Sequence, residues 1–267
     1  HHLALNWNLG EEINNASTAQ KKAWAEYFWT HDPYHHHIVI HNGANHYDLL
    51  GPGSKLTGFS LQTGRPDFRQ VHSRTLNYIT RSAKAGKQWV VACDEPGDAS
   101  HALRPDDDAG SSHEDARVNA LWGNLLAGGA GNEWYFGYRH DHSDLTCQDW
   151  RSRDRWWDTC RIAVGFFREH VPFWKMASAD KLVAGADAWC LAQPGQVYAV
   201  LLRKGGTAIL DLGDADATFT VQWFNPRAGG KLQSGTVRTI TGPGKQSLGA
   251  PPADRNKDWV ALVKRTP

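Results

Sequence analysis

The feature that most constrains this chain is an alternation. From its first residues to about position 172, short apolar runs that read as strands take turns with longer amphipathic stretches that read as helices. Strands separated by helices do not pair as hairpins, so the pattern calls for βα units and a parallel sheet. The first run, Leu3-Ala4-Leu5-Asn6-Trp7-Asn8-Leu9, leads into Gly10-Glu11-Glu12. A helical stretch with Ala19, Ala23, Trp24, Tyr27 and Phe28 on its inner side stops at Pro33, and 37–41 is the next strand. A third strand is expected at 57–62, a helix at 67–85, and a buried strand at 89–93 that ends in Asp94-Glu95-Pro96-Gly97.

The pattern then continues. Ser111 with Glu114, or Ser112 with Asp115, offers a capping box for a helix whose apolar residues Val118, Leu121, Trp122, Leu125 and Leu126 share one face. Gly128-Gly129 and Gly131 break it, 133–138 reads as a fifth strand, and 154–170 is a long helix burying Trp156, Cys160, Ala163, Val164 and Phe167. Beyond about 177 the runs become short and β-like, at 188–191, 197–202, 207–212, 219–224, 237–240 and 259–263, divided by Gly, Pro and Asp turns. Five parallel strands left open would expose their edges. The fold class expected is therefore α/β plus all-β: the C-terminal portion, about strands 4–8, of a (β/α)8 TIM barrel, residues 1–176, followed by an antiparallel β-sandwich, residues 177–267. About three further βα units are expected upstream. The junction Phe173-Trp174-Lys175-Met176 is too apolar for a solvated linker.

Charge narrows the partners. With 29 basic and 28 acidic side chains the net charge is +1, so no field of one sign draws in nucleic acid or an anionic membrane. No stretch nears the roughly 20 apolar residues of a membrane span. Thirteen tryptophans against one methionine favour a neutral partner with flat faces, a carbohydrate. No metal site is expected: in His35-His36-His37 with His41 and His46, His37 and His41 fall on a strand with no third ligand at a diagnostic spacing. Asp106-Asp107-Asp108 lacks the spaced oxygens of a calcium loop. Cys93, Cys147, Cys160 and Cys190 are not paired as in a zinc or redox motif. No cofactor is called for, and neither oligomeric state nor disulfide pairing is read from the sequence.

Barrels carry their chemistry at the C-terminal ends of strands, where Glu11-Glu12 and Asp94-Glu95 fall. Trp7-Asn8-Leu9-Gly10-Glu11-Glu12 resembles the fourth-strand motif of clan A glycoside hydrolases, and Val91-Ala92-Cys93-Asp94-Glu95-Pro96-Gly97 resembles their seventh-strand motif. More closely, the chain resembles bacterial apiosidase-like and cellulase-like barrels that carry a collagen-binding-like sandwich domain, with Trp223-Phe224-Asn225-Pro226-Arg227 and Gly229 matching that domain. The resemblance implies retaining hydrolysis of O-glycosidic bonds, Glu95 as nucleophile and Glu12 as acid/base, with the two carboxyl groups about 5 to 5.5 Å apart. It also implies a secreted or periplasmic location. Glu11 stands where the clan usually has Asn, so the acid/base role passes to Glu11 if that residue points into the cleft. His41, Asn42 and Gln62 at strand ends, Trp134 near the last strand, and Glu11 are the expected sugar contacts, and Asp94 reads as a turn or supporting residue. The second reading is a non-catalytic protein that binds carbohydrate or protein through the sandwich.

Overall fold

The computed structural model describes residues 6–10, 12–110, 112–146 and 148–266. Its first sheet is parallel, with four strands in the order β1-β2-β3-β4: β1 (Asn6–Leu9), β2 (His37–Asn42), β3 (Gly58–Thr63) and β4 (Val90–Pro96). Helix α1 (Thr18–His31) connects β1 to β2, and α2 (Val71–Lys84) connects β3 to β4. The alternation therefore folds as its pattern predicts.

Two details of the helices depart from the sequence reading. Ser17 and Gln20 form a capping box at the start of α1. Its buried residues are Lys21 and Ala25, whereas Trp24 and Tyr27 face outward. The anchor is at the C-terminal end: Trp7 stacks on Phe28 and donates its indole N–H to Asp32 at 3.0 Å. Asp32 also accepts from the backbone N–H groups of Tyr34 and His36 and from the His36 ring. Burial alone would raise the Asp32 pKa, but these donors hold its carboxyl well below the usual range. An anchored end fixes the rotation of the helix, and the aromatic side chains fall where it leaves them. In α2, Phe68 adopts a left-handed backbone (φ 56°) and delays the helix to Val71. Tyr78 of α2 stacks on Phe59 with ring centroids 4.0 Å apart, which ties helix to sheet.

The expected fifth strand is the larger correction. The chain runs beside β4 only at Asn132, which bridges Cys93 in parallel, flanked by bonds from Ala130 N–H to Val91 and from Glu133 N–H to Cys93. Beyond Glu133 the backbone leaves the ladder. Leu103 N–H donates to Tyr135, Tyr138 N–H donates to Ala99, and Gly137 (φ 70°) packs so closely that a Cβ would lie 2.5 Å from the Ala99 carbonyl. The loop after β4 thus captures a segment whose composition suits a strand. The helix expected over 118–126 forms as a run of α3 (His113–Asp115), a π-helical stretch (Ala116–Trp122) and α4 (Gly123–Leu126). Its apolar residues Val118, Leu121, Trp122 and Leu126 are buried.

The C-terminal strands build two antiparallel sheets. One has the order β11-β10-β13-β8-β7-β5, from β5 (Ala177–Ser178), β7 (Ala188–Gln193), β8 (Val197–Leu202), β10 (Thr218–Phe224), β11 (Thr239–Thr241) and β13 (Trp259–Arg265). The other is β12-β9-β6, from β6 (Val183–Ala184), β9 (Ile209–Asp211) and β12 (Lys245–Ser247). Alternate residues Tyr198, Val200 and Leu202 of β8 and Phe219, Val221 and Trp223 of β10 share one core with Leu210 of β9 and Leu248. Among the described residues no helix is long and apolar enough to cross a membrane.

Two compact units result. The described residues of His1–Ala120 and Gly129–Ser152 form one, and those of Leu121–Gly128 and Arg153–Pro267 the other. Helix α5 (Asp154–His170) thus groups with the antiparallel sheets, across the division expected at 176/177. The reason is aromatic: Phe166 packs on Phe224 of β10 at 4.6 Å and on Trp122 at 5.4 Å, so Phe166 joins the buried face while Val164 is exposed. The segment after β10 is shaped for that contact. The Asn225 side chain accepts from the N–H groups of Arg227 and Ala228, its carbonyl accepts from Gly229 N–H, and Arg227 reaches Asp254 and Asp258 while its guanidinium lies over Trp259. Gly229 (φ 68°) would place a Cβ 3.0 Å from Ile162 Cγ1 of α5. A Gly229→Ala change should therefore lower stability by about 1–2 kcal/mol, from left-handed strain plus the displaced Ile162. Urea unfolding should show an unchanged slope and a lower midpoint.

Candidate active site

The C-terminal end of β4 carries the site, and an irregularity sets it up. Leu61 pairs with Cys93 and Gln62 with Glu95, so Asp94 is an extra residue, a β-bulge. Upstream, strand alternation holds: Val91 and Cys93 are buried from solvent, whereas Val90, Ala92 and Asp94 line a 390 Å³ cavity with Asn6, Asn8, His37 and Ser60. The bulge then brings the next side chain, Glu95, round to the same end of the sheet as Asp94.

His41 of β2 joins the two acids. Its Nδ1 lies 3.2 Å from Asp94 Oδ1 and 3.1 Å from Ser60 Oγ, and its Nε2 lies 3.0 Å from Glu95 Oε2. The Ser60 hydroxyl donates to the other Asp94 oxygen, and the Asn8 amide donates to Ser60 Oγ at 3.3 Å. Burial lowers the His41 pKa, but hydrogen bonds and charges from Asp94 and Glu95 outweigh it and raise the ring to about 10.

Glu12 approaches from the other side. It is exposed, sits in a left-handed backbone (φ 46°), and accepts a 2.5 Å hydrogen bond from Gln62 Nε2. The Gln62 backbone carbonyl is held by Arg74 Nη1, while Arg74 Nη2 donates to the Gly43 carbonyl. A Cβ at Gly43 would come within 2.7 Å of Gln62 Oε1, so a side chain there would push the Gln62 amide aside. Glu12, Gln62, Glu95, Asp98, Tyr135 and Tyr138 line a cavity of about 510 Å³. Glu95, His41, Asp94, Glu133, Trp134, Tyr135, Tyr138 and Asp144 line another of about 640 Å³. Glu95 and the two tyrosines border both.

Of the residues expected from sequence, Glu12, Glu95 and Gln62 meet in one cavity, and His41, Glu95 and Trp134 meet in the other. Glu11 lies outside the described residues. Asn42 is 2 % exposed and faces neither cavity; its amide donates to Asn14 and accepts from Ala44 N–H, bracing the turn after β2. Sequence reasoning did not single out Ser60, Glu133, Tyr135, Tyr138 or Asp144. Although much of Glu133 is exposed, partial burial of its carboxyl, then the charges of Asp94 and Asp144, raise its pKa. Burial, then the charge of Glu95, pushes the Tyr135 phenol up to about 12, so its hydroxyl remains a donor. Among the described residues no group of three or more acidic, histidine or cysteine side chains could hold a metal ion. Carboxylates, amides, phenols and an indole around open cavities can bind hydroxyl groups and stack on ring faces.

The sequence matches no protein-family model and no curated protein. Solved structures do match. A glycoside hydrolase superposes with a TM-score of 0.69 at 16% identity, covering 97% of this chain and 64% of the other. A glycoside hydrolase family 5 protein from Bacteroides vulgatus also gives 0.69, at 17% identity, with 97% and 62% covered. A protein from Thermus thermophilus, Ttha1563, gives 0.52 at 11% identity, with 98% and 59% covered. The chain spans less than two thirds of the length of these neighbours and is similar to them in its mixed α/β fold, with parallel and antiparallel sheets together.

Proposed function

We propose that this chain is the C-terminal part of a retaining glycoside hydrolase. In this reading β1 to β4 are the fourth to seventh strands of a (β/α)8 barrel, Asn132 marks the eighth, and the two antiparallel sheets form a β-sandwich. The observation that carries it is the meeting around one cavity of Glu12, just past the C-terminal end of β1, and Glu95, in the last residues of β4. Glu95 attacks the anomeric carbon and forms a glycosyl ester as Glu12 gives its proton to the departing oxygen. Glu12 then takes a proton from water, whose oxygen attacks the anomeric carbon and releases Glu95. No cofactor takes part. Gln62 orients Glu12, and Trp134, Tyr135 and Tyr138 offer rings and hydroxyls to a poly- or oligosaccharide.

The test is covalent trapping. The full-length protein, treated with a panel of 2-deoxy-2-fluoroglycosyl fluorides, should gain the mass of one fluoroglycosyl group on the peptide that contains Glu95. Label on a different carboxylate, or neither label nor turnover across the panel by folded protein, would overturn the assignment.

A further inference from the structure

His41 stands between two acids that are adjacent in sequence, which a regular strand would not allow. Neighbouring side chains on a strand point to opposite faces, and only the extra residue at Asp94 lets both carboxylates reach one ring. A neutral imidazole has one N–H and could satisfy one carboxylate. An imidazolium has two and satisfies both. The His41 side chain is 9 % exposed, and the Ser60 hydroxyl, the other polar neighbour of Nδ1, donates to Asp94.

We propose that His41 is a positioning residue: as an imidazolium clamped between Asp94 and Glu95, it fixes the direction in which the Glu95 carboxylate enters the cavity. The inference rests on the reading of Glu95 as nucleophile. It also replaces the sugar-binding role expected of His41, since both ring nitrogens are committed inside the protein. The charged groups facing the ring are Asp94 and Glu95 from β4 and, on the segment beyond it, Glu133, whose carboxyl feels the ring's charge. With the pKa raised to about 10, the ring stays charged through neutral pH. Its contribution to stability is complete below the ordinary histidine value of about 6.5 and disappears as pH rises toward 10. A charge that persists across that window suits a fixed clamp and does not suit a proton shuttle.

Histidine ring nitrogen NMR on the full-length protein tests the clamp without any substrate. The His41 signals should be those of an imidazolium with no titration up to about pH 9, and the midpoint should fall by a unit or more in Asp94→Asn and in Glu95→Gln. A wild-type midpoint near 6.5 overturns the clamp. Kinetics test the positioning role, using 2,4-dinitrophenyl glycosides as probes. His41→Ala should lower kcat about a hundredfold with KM nearly unchanged, as expected when a reacting group loses its orientation. His41→Gln, which keeps a donor toward Glu95, should restore part of that loss. Unchanged kcat, or a loss confined to KM, removes His41 from the role. If the ring proves to be a clamped imidazolium while wild-type protein turns over no probe and takes no covalent label, the hydrolase reading fails and the clamp stands.

Discussion

Replacing Glu95 with glutamine should lower kcat/KM of the full-length protein by about 10⁴–10⁶-fold, the range expected when a covalent nucleophile is lost. The amide matches the carboxylate in size and can still accept the His41 Nε2–H, so the fold and the cavity should survive. What disappears is the oxygen that forms the glycosyl ester. Thermal unfolding of the variant checks the first point, and steady-state rates on dinitrophenyl glycosides check the second. The smaller Glu95→Ala variant with added azide should produce a glycosyl azide of inverted configuration, because azide then enters from the face that Glu95 vacates. A loss below about tenfold, or an azide product of retained configuration, would take the nucleophile role from Glu95.

The second large effect belongs to Glu12 and depends on the substrate. A general acid contributes about 10²–10⁴-fold where the departing group needs a proton. Glu12→Gln should therefore lose that much on alkyl glycosides and natural oligosaccharides. On dinitrophenyl glycosides, which leave without a proton, the first step should hardly change. Azide should rescue Glu12→Ala with a product of retained configuration. Glu133 makes the comparison informative, since burial and the charges of Asp94 and Asp144 raise its pKa and it lines the 640 Å³ cavity with Glu95. If Glu133→Gln shows the leaving-group pattern and Glu12→Gln does not, the acid/base is Glu133. Equal losses on both substrate types in Glu12→Gln also remove Glu12 from the role.

The sequence made the parallel strands legible because each is a compact apolar run with a helix or turn on either side. The strands β8, β10 and β13 read equally well, since their apolar residues alternate or run unbroken over five to seven positions. Two- and three-residue strands such as β5, β6 and β12 carry too few side chains for any period to show. The segment after Asn132 has strand composition, and only long-range contacts with the loop after β4 divert it. At the site, Glu12, Gln62 and Glu95 are legible from their places at expected strand ends and Trp134 from its place near the start of the expected last strand, and these four side chains line the two cavities. The part played by His41 is not legible in this way. It requires the register of β2 against β3 and β3 against β4, together with an extra residue at Asp94, and none of these leaves a mark on periodicity within one strand. Asn42 shows the converse, a polar residue at a strand end whose amide is taken up by Asn14 and Ala44.

The bulge at Asp94 bears on any attempt to transplant this acidic pair. Copied onto a straight strand, Asp94 and Glu95 would point to opposite faces, and one of two adjacent carboxylates would enter the apolar layer beneath the sheet without a partner. The portable unit is larger than the dipeptide. It comprises the unpaired residue, the position on the neighbouring strand that supplies Ser60, and the histidine one strand further away, all contributed by three stretches of chain. A recipient sheet that cannot take one extra residue at that rung will not accept the pair, however well its surface suits a sugar.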